Sequence, residues 1–300
     1  MKSKREKREK DGIKDGKNVK KIKAGPLFSA LIILLGAAVF LYPTISNMLA
    51  QVNHVKIIEE YDEDVGKKDE EEVAEQWKKA REYNEHIGES VYSQDPFNKD
   101  KGYVLSKEYK NVLNVSKAMA YIEIPKIDVK LPIYHGSSTE VLEKGVGHLE
   151  SSSLPIGSST GHCILTGHRG LPSAQLFTAL DEMKKGDKFY IHVLDKTLCY
   201  EVDKISVILP SELQNLTIEE GKDYVTLVTC TPYGVNTHRL LVRGERCAYT
   251  PEEAEQAAGS FNSHETLLLM ILGAFTGLLI FFILLIIRKL REDERKRHAK

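Results

Sequence analysis

A cysteine, a histidine and an arginine each lie at or beside the end of a short strand-like segment. Cys230 ends the apolar run 226–230, and Arg239 follows nine residues later inside a second run, 237–243. His168 follows the apolar run 164–166, within the segment Gly167-His168-Arg169-Gly170. A thiol, an imidazole and a guanidinium in such positions predict a nucleophilic acyl-transfer site.

Each of the three side chains has a role in that chemistry. Cys230 is the predicted nucleophile, and the turn residues 231–234 end its strand, so that the thiol lies at an open rim. His168 would take the proton of the thiol and later protonate the leaving amine. Arg239 would favour the thiolate and donate hydrogen bonds to the oxygen that becomes negative.

Simpler interpretations of these residues stay open at this point. Cys230 could be a packed core thiol, because free cysteine is among the most buried residue types. Arg239 could belong to an ordinary surface ion pair. The other histidines are weaker candidates for the base: His162 lies at the opposite end of its strand from His168, and His238 has the wrong parity to share a face with Arg239. Three more lie beside no second chemical group: His135, His148 and His192.

Neither a metal nor a cofactor is expected. A zinc site is disfavoured because the adjacent His162 and Cys163 would point to opposite faces of a strand. No P-loop, dinucleotide fingerprint or Gly-x-Ser-x-Gly elbow occurs. The net charge of −1 gives no overall field that would favour nucleic acid.

Apolar segments near both ends predict two membrane spans. Leu267–Ile287 holds no charged residue and is followed at once by Arg288 and Lys289. The N-terminal segment is strongly apolar over Leu27–Tyr42, and we interpret it as an uncleaved anchor, with a cleaved signal peptide as the competing interpretation. Because both terminal tails are basic, the tails are expected in the cytoplasm and the region between the anchors outside the cell.

The region between the anchors predicts a helical part followed by many short strands. An amphipathic helix is expected over Asp69–Ile87, with Trp77 packed against the next domain, and another over Ser106–Ser116. A further helix is expected around Ser173–Leu180. The predicted strands are Ala118–Ile124, Val129–Ile133, Cys163–Thr166, Lys188–Val193, Leu198–Ile208, Tyr224–Thr229 and Thr237–Arg243. Many short strands with few helices favour a closed barrel or a sandwich.

The site residues also carry a resemblance to a known family. The segments T-L-V-T-C at 226–230, T-P-Y-G-V-N after it and T-H-R-L-L-V-R-G at 237–244 resemble the active-site region of sortases, over roughly residues 118–248. Two features are similar to class C, the pilin-polymerising sortases: the pair of membrane segments, and Asp95-Pro96-Phe97, which looks like the lid of that class. By this likeness Asp95 would contact Arg239, and Phe97 would cover Cys230.

The resemblance implies a membrane-anchored transpeptidase. Cys230 would attack the Thr–Gly bond of an LPxTG-like sorting signal, and a Lys amine on another pilin subunit would resolve the thioacyl enzyme. The partners would be pilin subunits and the membrane. Two alternatives remain: a housekeeping sortase that attaches proteins to cell-wall peptidoglycan, and a non-enzymatic, membrane-tethered surface binding module.

The expected fold is mainly β, an eight-stranded sortase-type barrel with short helices, an N-terminal helical extension with a lid, and two transmembrane helices. We expect a basic tail (1–23), a transmembrane anchor (24–50), a helical extension (51–117) with its lid (92–102), the catalytic barrel (118–248), a linker (249–265), a transmembrane helix (266–288) and a second basic tail (289–300).

Overall fold

The computed structural model describes residues 24–87, Phe97, residues 105–252 and helical residues scattered between 273 and 295. The chain divides into two compact units. One is Leu41–Gly273, and the other combines Met1–Phe40 with Ala274–Lys300. The candidate site lies entirely within the first unit.

Eight strands in the described region close into a barrel, which confirms the predicted fold class. They are β1 (Ala120–Ile124), β2 (Val129–His135), β3 (Val146–His148), β4 (Gly161–Thr166), β5 (Lys188–Val193), β6 (Lys196–Ile208), β7 (Asp223–Thr231) and β8 (His238–Cys247). Their order around the barrel is β1-β2-β3-β4-β7-β8-β6-β5. The pairs β2–β3 and β4–β7 are parallel, and the other neighbours are antiparallel.

Both faces of β7 are buried, which matters for the site. Alternate residues such as Val225 and Leu227 belong to the main core cluster that fills the barrel. Val228 points the other way and joins a smaller outer cluster with Ile164 of β4 and Leu241 of β8. Because side chains alternate along a strand, Cys230 shares this outer face with Val228.

The helical extension packs on the barrel through buried polar contacts. Helix α1 (Ala24–Gly66) presents Tyr61, whose hydroxyl donates to the Met119 carbonyl at 3.2 Å and accepts from the Leu194 amide at 2.7 Å. Helix α2 (Glu70–His86) begins after Asp69, which forms a capping box with Glu72. The predicted packing of Trp77 is confirmed: the side chain is buried, and its indole N–H donates to Asp195 Oδ1 at 2.7 Å.

One helix among the described residues is long and apolar enough to cross a membrane, by length and composition alone. It is the stretch Leu35–Gly66 of α1, with a mean hydropathy of 1.3 in its most apolar part. Helix α1 continues beyond the anchor predicted at 24–50, because no Gly or Pro occurs from residue 51 to 65. The second predicted span, 266–288, lies largely outside the described residues, and those of its residues that are described are helical.

Several short elements differ from the prediction. Strand β3 was not anticipated. Helix α3 covers only Lys107–Asn111 of the expected 106–116, because Val112 is extended and Leu113 has a positive φ of 54°. The helix predicted around Ser173–Leu180 is wrong: Leu176 has φ 39°, and the segment forms turns that lead into a 3-10 turn at Leu180–Glu182. The remaining short elements are helix α4 (Thr139–Lys144) and 3-10 turns at Pro125–Ile127 and Pro210–Asn215.

Candidate active site

Cys230 and Arg239 are directly opposite each other in the antiparallel ladder of β7 and β8. Residues paired in this way project from the same face, with Cβ atoms about 5 Å apart. Cys230 is 7% exposed and Arg239 is 6% exposed. Strand β7 ends at Thr231, two residues beyond the predicted strand Tyr224–Thr229, so Cys230 is the last residue but one of its strand.

The buried guanidinium of Arg239 is oriented by backbone carbonyls. Its Nη1 donates to the Asn236 carbonyl at 3.0 Å and to the His238 carbonyl at 2.9 Å. Asn236 lies in the turn that connects β7 to β8, and His238 is the first residue of β8. The turn and the start of β8 therefore fix the cation in place opposite the thiol.

His168 reaches the same rim from β4, the parallel neighbour of β7. Thr166 is paired with Val228, and the next residue continues the ladder, because the Gly167 amide donates to the Val228 carbonyl at 3.1 Å. The Thr229 hydroxyl donates to the Gly167 carbonyl at 2.7 Å. The same register, continued beyond the end of β4, would align His168 with Cys230. Cys230 and Arg239 share one face at this rim, and His168 follows the adjoining end of β4.

Phe97, from the predicted lid, lies over this rim. Its ring centroid is 5.7 Å from that of the His168 imidazole and 5.1 Å from the guanidinium carbon of Arg239. It also packs on the outer cluster that contains Val228. Asp95 and Pro96, the other predicted lid residues, lie outside the described residues.

An apolar floor adjoins the catalytic residues on the outer face of the barrel. Its buried members are Leu149, Ile164, Leu213, Val228 and Leu241, with Ile208 and Leu216 packed against them. Leu213 and Leu216 belong to the connection between β6 and β7, which folds over this face. The surroundings of the thiol are therefore a partly covered apolar surface.

Other histidines form structural contacts, and the expectation that His148 and His192 lie beside no second chemical group is wrong. His148 bonds to the Tyr109 hydroxyl at 2.7 Å through Nδ1 and to the Ser153 carbonyl at 2.9 Å through Nε2. Burial lowers the pKa of His148 to about 4. His192 lies 3.1 Å from a Glu123 carboxylate oxygen. Tyr109 and Glu123 are distant in sequence from their histidine partners, so residue spacing alone could not reveal these two contacts.

The cysteines fall into two groups. Cys199 and Cys247 form a disulfide between directly paired residues of β6 and β8. The sulfurs of Cys163 and Cys230 are not in disulfides. Cys163 lies in the barrel core, where burial raises the pKa of its thiol well above the usual value. Cys230 therefore keeps the thiol that the nucleophile hypothesis requires. Among the described residues no group of three or more His, Cys, Asp or Glu side chains is arranged to hold a metal ion.

Arg169, Asp181 and Thr231 form a polar cluster next to the catalytic residues, and no sequence motif indicated it. Arg169 bonds to both of the others. The position of an arginine directly after His168 is the one sequence signal that could have pointed to it.

Comparisons with known proteins agree with this architecture. A family model for the sortase domain matches residues 122–247. Sortase D of Bacillus subtilis is 32% identical over 133 residues, which cover 43% of this chain and 64% of that protein, slightly less than two thirds of its length. Sortase A of Staphylococcus aureus is 31% identical over 211 residues, which cover 69% of this chain and 86% of that protein.

Solved structures give higher identities. Sortase C of Streptococcus pneumoniae is 47% identical with a TM-score of 0.60, and the match covers 65% of this chain and 98% of that one. A pilus-related sortase C of Group B Streptococcus is 43% identical with a TM-score of 0.60, covering 64% of this chain and 97% of that one. The predicted resemblance to class C is thereby confirmed. This chain belongs to the sortase family of cysteine transpeptidases, and its fold is shared with class C members of that family.

Proposed function

We propose that this chain is a pilus-assembly sortase that cleaves an LPxTG-like sorting signal between Thr and Gly and joins the acyl group to a Lys amine of another pilin subunit. The observation that carries the proposal is the direct pairing of Cys230 with Arg239, together with the contact of Phe97 with both Arg239 and His168. Solved sortases C with 43–47% identity, one of them described as pilus-related, support the substrate class.

The first half-reaction forms a thioester. The Cys230 sulfur bonds to the Thr carbonyl carbon, the carbonyl oxygen becomes an oxyanion, and Arg239 donates hydrogen bonds to it. His168 takes the thiol proton and delivers it to the Gly nitrogen as the Thr–Gly bond breaks. The peptide that begins with Gly leaves as a free amine.

The second half-reaction releases the enzyme. A neutral Lys amine of a second pilin attacks the thioester carbonyl, and His168 accepts a proton from the attacking nitrogen. The C–S bond breaks, the sulfur recovers its proton, and an isopeptide bond joins the two subunits. No cofactor takes part in this scheme.

The apolar outer cluster would form the floor of the binding groove for the sorting signal. Leu and Pro side chains favour an apolar surface, and the connection between β6 and β7 supplies Leu213 and Leu216 at its border. Phe97 occupies the entrance beside His168, which supports a lid formed by Asp95, Pro96 and Phe97. The groove would then open only when this segment moves away.

The catalytic barrel would act outside the cell, tied to the membrane by two spans. The apolar stretch of α1 supports the first span, and the uncharged segment Leu267–Ile287 supports the second. The basic tails at both ends would remain in the cytoplasm.

A strain that carries Cys230→Ala tests the proposal, with Cys163→Ala as the matched control. Cys163 is also a thiol of the barrel, but it lies in the core, away from the rim. Covalent, SDS-resistant pilin ladders should vanish in Cys230→Ala and persist in Cys163→Ala. Ladders that survive Cys230→Ala would overturn the proposal.

The second candidate, attachment of proteins to peptidoglycan, is favoured by the curated sortase A relatives. A wall fraction assay separates the two functions. A housekeeping enzyme would leave single substrate molecules bound to peptidoglycan fragments, whereas a pilus enzyme would leave polymers of pilin.

A further inference from the structure

Arg169 is a buried cation that follows His168 directly in the chain. Its side chain is 8% exposed. Nη2 forms an ion pair with Asp181, and Nη1 donates to the Thr231 hydroxyl oxygen at 3.2 Å. The guanidinium carbon lies 5.9 Å from the centre of the Tyr233 ring.

The contacts of this guanidinium connect the two halves of the proposed site. Arg169 is the neighbour of the proposed base, and Thr231 is the neighbour of the proposed nucleophile, Cys230. A hydrogen bond between them therefore joins the loop that carries His168 to the end of β7. Asp181 fixes the guanidinium from the other side.

The rest of the His168 loop is fastened to the same segment as Asp181. The Phe177 amide donates to the His168 carbonyl at 3.1 Å, and the Gly170 amide donates to the Thr178 hydroxyl oxygen at 3.1 Å. These bonds hold the backbone after His168 toward residues 177–178. Gly167, before His168, is bonded to β7, and the Arg169 side chain adds a tie to the same strand after His168, at Thr231.

The guanidinium is held there although its hydrogen bonding is incomplete. Arg169 Nε is buried and has no hydrogen-bond partner within the described part of the chain. A buried donor without an acceptor is unfavourable. The Arg169 guanidinium is therefore held in place by its contacts at Nη1 and Nη2, while Nε remains without an acceptor in the described part of the chain.

We propose that Arg169 is a positioning residue, held by Asp181, that sets the imidazole of His168 relative to the thiol of Cys230. The inference rests on the proposed function, because it takes the roles of His168 and Cys230 from there. Arg169 itself touches no reacting atom. A lysine could not replace it fully, since one ammonium group cannot reproduce a planar fork that bonds to Asp181 and Thr231 together.

The test uses the full-length chain in detergent, with a peptide that contains an LPxTG sorting signal. We expect Arg169→Ala to lower kcat about 100-fold, the scale of a misplaced catalytic group, while KM changes less than about threefold. Arg169→Lys and Asp181→Asn should fall between this variant and the wild type. The second readout is the rate of Cys230 alkylation by iodoacetamide as a function of pH. Its midpoint should move upward in Arg169→Ala, because a displaced imidazole supports the thiolate less well.

Arg246→Ala is the matched control. Arg246 is a partly buried arginine at the opposite end of the barrel. It donates a hydrogen bond to the Cys199 carbonyl and lies near the carboxylate of Asp223. Its removal should leave kcat and the alkylation midpoint unchanged. Arg169→Ala with wild-type kcat and midpoint would overturn the positioning role.

Two further variants test the inference if Arg169→Ala fails to fold. Unchanged kcat and an unchanged midpoint of Cys230 alkylation in both Asp181→Asn and Thr231→Val would overturn it. Cys230→Ala is measured in parallel. If that variant keeps its activity, the proposed function itself fails, whereas an inactive Cys230→Ala beside a fully active Arg169→Ala refutes only the role of Arg169.

Discussion

The ring of Phe97 lies against the imidazole of His168, with 5.7 Å between the two ring centroids. The same ring also faces the guanidinium of Arg239 at 5.1 Å. One aromatic side chain thus contacts two of the three proposed catalytic residues. Under the proposed lid role, Phe97 would have to move away before substrate reaches the thiol.

Replacing Phe97 with Ala should therefore raise the rate at which iodoacetamide alkylates Cys230. The aromatic and cation–π contacts are together worth on the order of 1–2 kcal/mol, which corresponds to roughly a tenfold change in rate. Mass spectrometry of the modified cysteine gives the rate. Tyr249→Ala, an aromatic truncation after β8, is the control and should alkylate like the wild type. Equal rates for Phe97→Ala and wild type would count against a lid.

Removing the guanidinium at position 239 should reduce catalysis strongly. We expect Arg239→Ala to lower kcat about 100- to 1,000-fold, the range seen when an oxyanion donor is lost. Arg239→Lys should recover only part of this, because an ammonium group cannot keep both carbonyl contacts and a donor for substrate. Arg243→Ala serves as a control from the same face of β8, since it removes an ion pair with Asp203. A similar loss of kcat in the control would argue against a specific role for Arg239.

The buried His148 should make folding stability depend on pH. Its pKa is about 4 in the folded chain, against 6.5 for an unperturbed histidine. The unfolded chain binds a proton below pH 6.5 while the folded chain does not. Stability is therefore fully present above pH 6.5 and is lost as the pH falls toward 4, by up to about 3 kcal/mol.

Chemical denaturation between pH 7 and 4 measures this effect. His148→Gln should be less stable than wild type at pH 7, because buried hydrogen bonds to Tyr109 and Ser153 are disturbed. Its stability should, however, decline less steeply with falling pH. Parallel pH curves for the two proteins would contradict the prediction.

The disulfide between β6 and β8 should stabilise the fold without affecting the reactivity of Cys230. A Cys199→Ser, Cys247→Ser double variant should lose about 2–4 kcal/mol of stability, the usual range for a native disulfide. Alkylation of Cys230 should keep its wild-type rate, since that residue lies at the other end of β7. Thermal unfolding and alkylation of the same samples check both statements, and an unchanged melting temperature would be the contrary result.

The indole of Trp77 should report the docking of α2 on the barrel, because it is the single tryptophan of the chain. Asp195→Ala leaves its buried N–H without an acceptor, at a cost of about 1–3 kcal/mol. The fluorescence emission should shift to longer wavelength as the indole becomes hydrated. Asp187→Ala, at a turn of the barrel, is a control that should leave the emission unchanged. An unshifted spectrum in Asp195→Ala would mean that the contact does not hold α2.

Most of the barrel was predictable from local pattern, because seven of its strands are apolar runs bounded by turn residues. Strand β3 was not, since Val146-Gly147-His148 is too short to show an alternation and contains a glycine. The helix expected near Ser173 failed for a related reason: the positive φ of Leu176 depends on packing that the sequence does not display.

The candidate site was predictable to the extent that its residues lie on strand ends. Cys230 and Arg239 share a hairpin, so their pairing follows from the turn length, whereas His168 joins them only through the parallel contact of β4 with β7. The sequence alone could not predict which cysteines form the disulfide, because four cysteines can be joined into two disulfides in three different ways. The pairing of Cys199 with Cys247 also depends on a register shift between Val202 and Lys204.

The β7–β8 hairpin also restricts the positions at which homologous sequences can carry insertions. Side chains alternate along each strand, so one inserted residue inside either strand would turn Cys230 or Arg239 to the opposite face. An insertion in the turn at 233–236 would leave both facing outward together. Natural length variation should therefore accumulate in the turn and be absent from the strands that flank it.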